Sequence, residues 1–156
     1  MGGPVGQNRR ARPAGPGDAP PREHREHTEH MDTDLQRIAD DLAIRNLIAR
    51  IAHLADHGED LDEYLTCFTE DAAWNFPIGA RKGHADILAG AKDRRATGTT
   101  GPGSNSRHIL TTIDVRADGG DVATSDSYFV FLVETNVAPK IFNNGHYHDT
   151  WVRTPE

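Results

Sequence analysis

The hydrophobic pattern of this chain changes period once, near residue 100, and that change limits the fold more than any single motif does. Upstream, apolar residues recur at helical spacing. Leu35, Ile38 and Leu42, then Ile44, Leu47, Ile48, Ile51, Ala52 and Ala55, predict a helix over 34–57, with Gly58 placed for a left-handed C-terminal cap. Asp60 has the chemistry of an N-cap for a second helix, and Glu63 follows at capping-box spacing. Leu61, Tyr64, Leu65 and Phe68 form that helix's apolar stripe. Residues 72–76 read as a short strand closed by Pro77 and Gly79. Residues 84–95 read as a third helix, with Ile87, Leu88 and Ala91 inward.

Downstream the period is two. Residues 107–116 and 122–134 flank the turn Asp118-Gly119-Gly120-Asp121, which is a hairpin signal. Residues 141–153 predict another long strand, with Asn143-Asn144-Gly145 as the place where it would break. The Gly/Thr/Pro-rich loop 97–105 lacks the Lys-Ser/Thr of a phosphate loop, which argues against nucleotide binding, and its length suits a lid. Helices first and a strand meander afterwards predict an α+β fold. Three N-terminal helices would cover one face of a curved antiparallel sheet, leaving a cone with a ligand-sized cavity.

Composition sets the limits of the domain. Hydrophobic residues are only 36 % of the chain, and the first thirty residues hold five of the nine prolines and no Phe, Trp or Tyr. Such a segment cannot bury enough apolar surface to offset the entropy of ordering it. Residues 1–33 are therefore expected to be a disordered extension, with the natural start at Met31, and residues 34–156 one domain. Net charge is −7, and the first thirty residues contribute five Arg against one Asp and three Glu, which leaves −8 for the remainder. An acidic domain is a poor nucleic-acid ligand, because that affinity rests on neutralising phosphates. No apolar run approaches the roughly 18 residues of a membrane span. The single Cys67 excludes an internal disulfide and fits a cytoplasmic location.

The ordered set of stretches resembles the SnoaL-like branch of the nuclear transport factor 2-like superfamily. The resemblance is carried by Ile44-Arg45-Asn46-Leu47-Ile48-Ala49-Arg50, Asp56, and Asp60-Leu61-Asp62-Glu63-Tyr64-Leu65 running on to Phe68-Thr69-Glu70-Asp71-Ala72-Ala73-Trp74. It continues through Gly83-His84-Ala85-Asp86-Ile87, Ser106-Arg107-His108, and Gly145-His146-Tyr147-His148-Asp149-Thr150-Trp151-Val152-Arg153. The resemblance implies a cavity-bearing cone. That family includes polyketide cyclases, scytalone dehydratase, hexachlorocyclohexane dehydrochlorinase, ketosteroid isomerase and non-catalytic dioxygenase subunits. Several members use an Asp and a His as a base dyad, and Asp56 and His108 fall on those positions. Two departures stand out. Ile51 occupies a position where the family often has Tyr, and the chain stops at Arg153-Thr154-Pro155-Glu156, where a last strand is expected to begin.

The resemblance implies a cofactor-independent lyase or isomerase acting on a small hydrophobic molecule, with Asp56 and His108 catalytic. The alternative it implies is a non-catalytic ligand-binding or subunit-type cone. Trp74, Phe76, Tyr128, His146 and Arg153 are candidate substrate contacts, although the aromatic residues equally suit a core and Arg153 a solvated strand end. His146 and His148 share a strand face and with His108 would make a three-His site. The spacing of known metal motifs is absent, so no metal or other cofactor is expected. The expected partners are a small hydrophobic ligand and further copies of the chain in a homodimer or homo-oligomer, without nucleic acid or membrane.

Overall fold

The computed structural model describes residues 22–76 and 79–155. The expectations placed on residues 1–21 and on Pro77 lie outside the described residues. Eight elements follow in order: α1 (Arg22–His57), α2 (Leu61–Leu65), β1 (Ala73–Phe76), β2 (Gly79–Lys82), α3 (Gly83–Ala96), β3 (Ser106–Arg116), β4 (Val122–Val133) and β5 (Lys140–Val152). The architecture is the α+β arrangement that the change of period predicts.

Helix α1 starts at Arg22, well before the expected Asp34. It also carries two apolar stripes in place of one. Ile44, Ile48 and Leu54 are buried, whereas Leu35, Ile38 and Leu42 are 60, 65 and 59 % exposed. At about 100° per residue, Leu42 stands roughly 160° around the helix from Ile44, so the two sets face opposite ways. Ile38 of the exposed set lines an open groove shared with Val115 of β3. The α1 carboxyl end is closed by Arg95, whose guanidinium donates to Glu59 O at 3.0 Å and to Gly58 O. Gly58 is not left-handed as expected. A Cβ there would lie 2.7 Å from Leu54 O, so close approach, not backbone conformation, calls for glycine.

Asp60 caps α2 by accepting the Asp62 N–H at 2.7 Å. Glu63 does not complete a capping box; it pairs with Arg50 at 3.0 Å. Tyr64 and Cys67 turn inward to join Leu54, Ile87 and Ala91 in a core between α1, α2 and α3. Trp74 packs against this core edge-on to Tyr64 and Phe68. Strand β2, which carries no strand signal in Gly-Ala-Arg-Lys, pairs antiparallel with β1.

The main sheet has the order β3-β4-β5, antiparallel throughout. Register opposes His108 to Phe131, Phe129 to Gly145, and Ser127 to Tyr147. Strand β5 is continuous through Asn143-Asn144-Gly145, where a break was expected. The glycine has a packing reason. A Cβ at Gly145 would lie 2.8 Å from Phe129 Cε1, so the ring occupies the space of the missing side chain.

Candidate functional site

Asp56 lies one residue before the last of α1, on the margin of the inward stripe, and is 3 % exposed. A carboxylate at a helix carboxyl end is opposed by the helix dipole. It is held there by one residue of the sheet. His108 Nδ1 lies 2.6 Å from Asp56 Oδ1, and the His108 backbone N–H donates to Asp56 Oδ2 at 2.7 Å. Both carboxylate oxygens are thus engaged by residue 108. An ionised carboxylate opposite Nδ1 favours the tautomer with the proton on Nδ1, leaving Nε2 as the acceptor. Among the described residues, Nε2 makes no hydrogen bond. The face of the imidazole rests on Phe131, with ring centres 4.5 Å apart.

A cavity of about 300 Å³ lies beside this pair, with Ser106, Phe131, Phe142, Gly98 and Thr99 in its wall. His108 is not itself a wall residue; its packing partner Phe131 is. The loop 97–105 supplies part of the wall and is tied down. Ser104 Oγ donates to Gly101 O at 2.7 Å and Thr99 N–H to Arg94 O at 2.9 Å. Arg94 also stands over the Trp74 ring, its guanidinium carbon 5.0 Å from the centre.

Strand alternation distributes the remaining candidates. Trp74 reaches the helical core, and Phe76, edge-on to Trp74, is 44 % exposed at the end of β1. Tyr128 and His146 are register partners on the face opposite His108, and Tyr128 is 57 % exposed. Tyr128 stands three positions from the inward Phe131, an odd offset, which is why it points away. His148 shares that outer face and pairs with Asp126 at 2.7 Å, so the three histidines do not converge. Among the described residues no three metal-ligating side chains come together. Arg153 lies at the far end of the sheet, bonded to Asp40 at 2.9 Å, and holds that carboxyl below the usual aspartate range.

The inward positions of β5 are Tyr147, Asp149 and Trp151, and only His146, their outward neighbour, was a candidate from the sequence. The Tyr147 ring stacks on Phe129 with centres 4.6 Å apart. Its phenol is pushed up first by burial and then by the charge of Asp149, and the charges of Arg94 and Asp56 also act on it, so it faces the same interior as Asp56. Burial likewise pushes the Asp149 carboxyl up. Alternation alone pointed to this face, because Tyr147, Asp149 and Trp151 share the parity opposite to the two histidines.

The model of the SnoaL-like domain family matches residues 36–156. No curated protein matches the chain. Among solved structures, an NTF2-like protein with a cystatin-like fold from Novosphingobium aromaticivorans is 26 % identical, with a TM-score of 0.69 over 80 % of this chain and 79 % of that one. A candidate aromatic ring hydroxylase from the same organism is 31 % identical, with a TM-score of 0.60 over 75 % of this chain and 80 % of that one. ActVI-ORFA from Streptomyces coelicolor shares the fold at 24 % identity, with a TM-score of 0.59 over 72 % of this chain and 84 % of that one. No described helix is long and apolar enough to cross a membrane. The order of elements, the antiparallel sheet and the match over most of its length together show that the chain belongs to the SnoaL-like domain family, within the nuclear transport factor 2-like superfamily.

Proposed function

We propose that this chain is a cofactor-independent lyase or isomerase that acts on a small hydrophobic molecule with His108 as its base. One observation carries the reading. A buried carboxylate engages both the backbone and Nδ1 of His108, and Nε2 is left without a partner. In this mechanism Nε2 removes a proton from a carbon made acidic by a neighbouring carbonyl or leaving group. In an elimination the C–H electron pair becomes a new double bond as the leaving group departs with its bonding pair. In an isomerisation that pair forms the enolate, with the carbonyl π pair moved onto oxygen, and the imidazolium returns the proton at another carbon; an enolate that instead attacks a second carbonyl closes a ring, and the imidazolium protonates the alkoxide formed. Asp56 stabilises the imidazolium throughout. The resemblance to a candidate aromatic ring hydroxylase favours a ring-bearing substrate.

The test is turnover on a panel of enolisable and halogenated cyclic compounds, followed by substitution. His108→Ala is expected to lower kcat by about 10²–10⁴-fold with an unchanged far-ultraviolet circular dichroism spectrum. Full activity in that variant, on a substrate the parent turns over, overturns the reading.

A second reading has its own support. Ile109, Tyr128 and Ile141 are 46, 57 and 66 % exposed along the sheet. Apolar area of this kind suits an interface with a second copy or a larger catalytic subunit. A monomer by light scattering at micromolar concentration, with no turnover lost, argues against that role.

A further inference from the structure

The inner face of the sheet carries a polar group of residues that the Asp56–His108 pair does not use. Ser127 is 2 % exposed, and its Oγ has no hydrogen-bond partner. Native proteins rarely leave a buried hydroxyl so, because the lost solvation costs about 1–3 kcal/mol. Its neighbour two residues back, Ser125, shows the ordinary outcome: Ser125 Oγ accepts the Trp151 indole N–H at 2.9 Å. Across from Ser127 in register stands Tyr147, with Asp149 next along the same face. Among the described residues neither the Tyr147 hydroxyl nor the Asp149 carboxyl is hydrogen-bonded. Phe129, stacked on Tyr147, supplies an apolar wall beside them.

We propose that Ser127, Tyr147 and Asp149 form a binding subsite for an uncharged hydroxyl or carbonyl oxygen on a ring-bearing ligand. Ser127 is its floor; its Oγ is closed to solvent, so the oxygen enters as the partly exposed Tyr147 and Asp149 side chains give way. The charge of the group selects against anions. Asp149 faces the site, and Asp56 and Arg94 both act on the same interior, so two carboxylates stand against one guanidinium, with no Lys or Arg on the inward row of β5 beside them. The distance to the base is also informative. Phe131, opposite His108, is four residues from Ser127 along β4, which is about 13 Å at strand rise. A ligand that engages both sites is therefore about as long as three fused rings, with a proton donor carbon at one end and a neutral oxygen at the other. The inference deepens the proposed function, since only the His108 end performs chemistry, but the subsite is defined by binding.

Equilibrium dialysis with naphthalene, 2-naphthol and 2-naphthoate tests it. The parent protein is expected to bind 2-naphthol about five- to tenfold more tightly than naphthalene, the worth of one hydrogen bond, and 2-naphthoate no better than naphthalene. Ser127→Ala is expected to abolish the 2-naphthol preference while melting at the same temperature or higher, because it removes an unsatisfied group. Asp149→Asn is expected to weaken that preference without abolishing it, since the amide oxygen still accepts, and to admit 2-naphthoate. Equal binding of naphthalene and 2-naphthol by the parent overturns the proposal. So does a preference that survives Ser127→Ala, or tight binding of 2-naphthoate by the parent. None of these readouts requires turnover, so the subsite and the His108 base stand or fall separately.

Discussion

One carboxylate, Asp56, reaches both the backbone N–H and the ring Nδ1 of a single residue, His108, that is 52 positions away in sequence. Two acceptor oxygens face two donors, and that arithmetic fixes the tautomer.

Asp56→Asn therefore does more than remove a charge. An amide has one acceptor and one donor end. If its oxygen keeps the buried backbone N–H, its NH₂ must face Nδ1 and donate to it, which moves the ring proton to Nε2 and blocks the base. We expect kcat to fall by about 10²–10⁴-fold with little loss of fold. Nitrogen-15 chemical shifts of the His108 ring check the mechanism directly, through exchange of the protonated and unprotonated nitrogens.

Gly145→Ala is expected to disturb the interior by steric pressure alone, because Gly145 is not in the left-handed region. The added Cβ would meet Phe129 at 2.8 Å, and Phe129 holds the Tyr147 ring. Overpacking of this kind costs about 1–3 kcal/mol. Thermal melting gives the cost, and a shifted Tyr147 aromatic signal shows that it reached the stack.

Asp149→Asn is expected to stabilise the protein at neutral pH. Burial raises the folded-state pKa of Asp149 above its unfolded value. The folded state then holds a proton that the unfolded state has lost, so stability falls as pH rises from the unfolded to the folded pKa. Below that window the carboxyl is protonated in both states and the penalty is absent. The melting-temperature gain of the variant should be largest above that window and shrink as pH drops through it toward the ordinary aspartate range.

Arg95→Ala is expected to loosen the end of α1. Arg95 satisfies the carbonyls of Gly58 and Glu59 and brings positive charge to the negative end of the helix dipole. The loss should be about 1 kcal/mol from stability. Hydrogen exchange should rise first at residues 54–58, including the turn that bears Asp56.

Particular residues show where the sequence is readable. The alternation of β3 and β4 was legible because each strand is long and one face is packed. The helical stripe was legible but misdivided. The i, i+2 step from Leu42 to Ile44 marks two faces, and nothing local says which one the sheet will cover. Gly145 read as a break because its reason, the Phe129 ring, comes from another strand. Gly-Ala-Arg-Lys of β2 becomes a strand through pairing with β1, and its own propensity gives no sign of it. The Asp56–His108 contact depends on how α1 docks on β3, which spacing suggests only through resemblance. On β5 chemical type favours His146, whereas parity relative to Phe131 selects Tyr147.

The Asp56–His108 bond joins the helical layer to the sheet, and the consequence is kinetic as much as chemical. The imidazole belongs to one layer and the group that orients it to the other. A partly folded chain with its hairpin formed and its helix undocked would own the histidine without the tautomer. Competence therefore requires the two layers to be docked, so any activity the chain has doubles as a reporter of that docking.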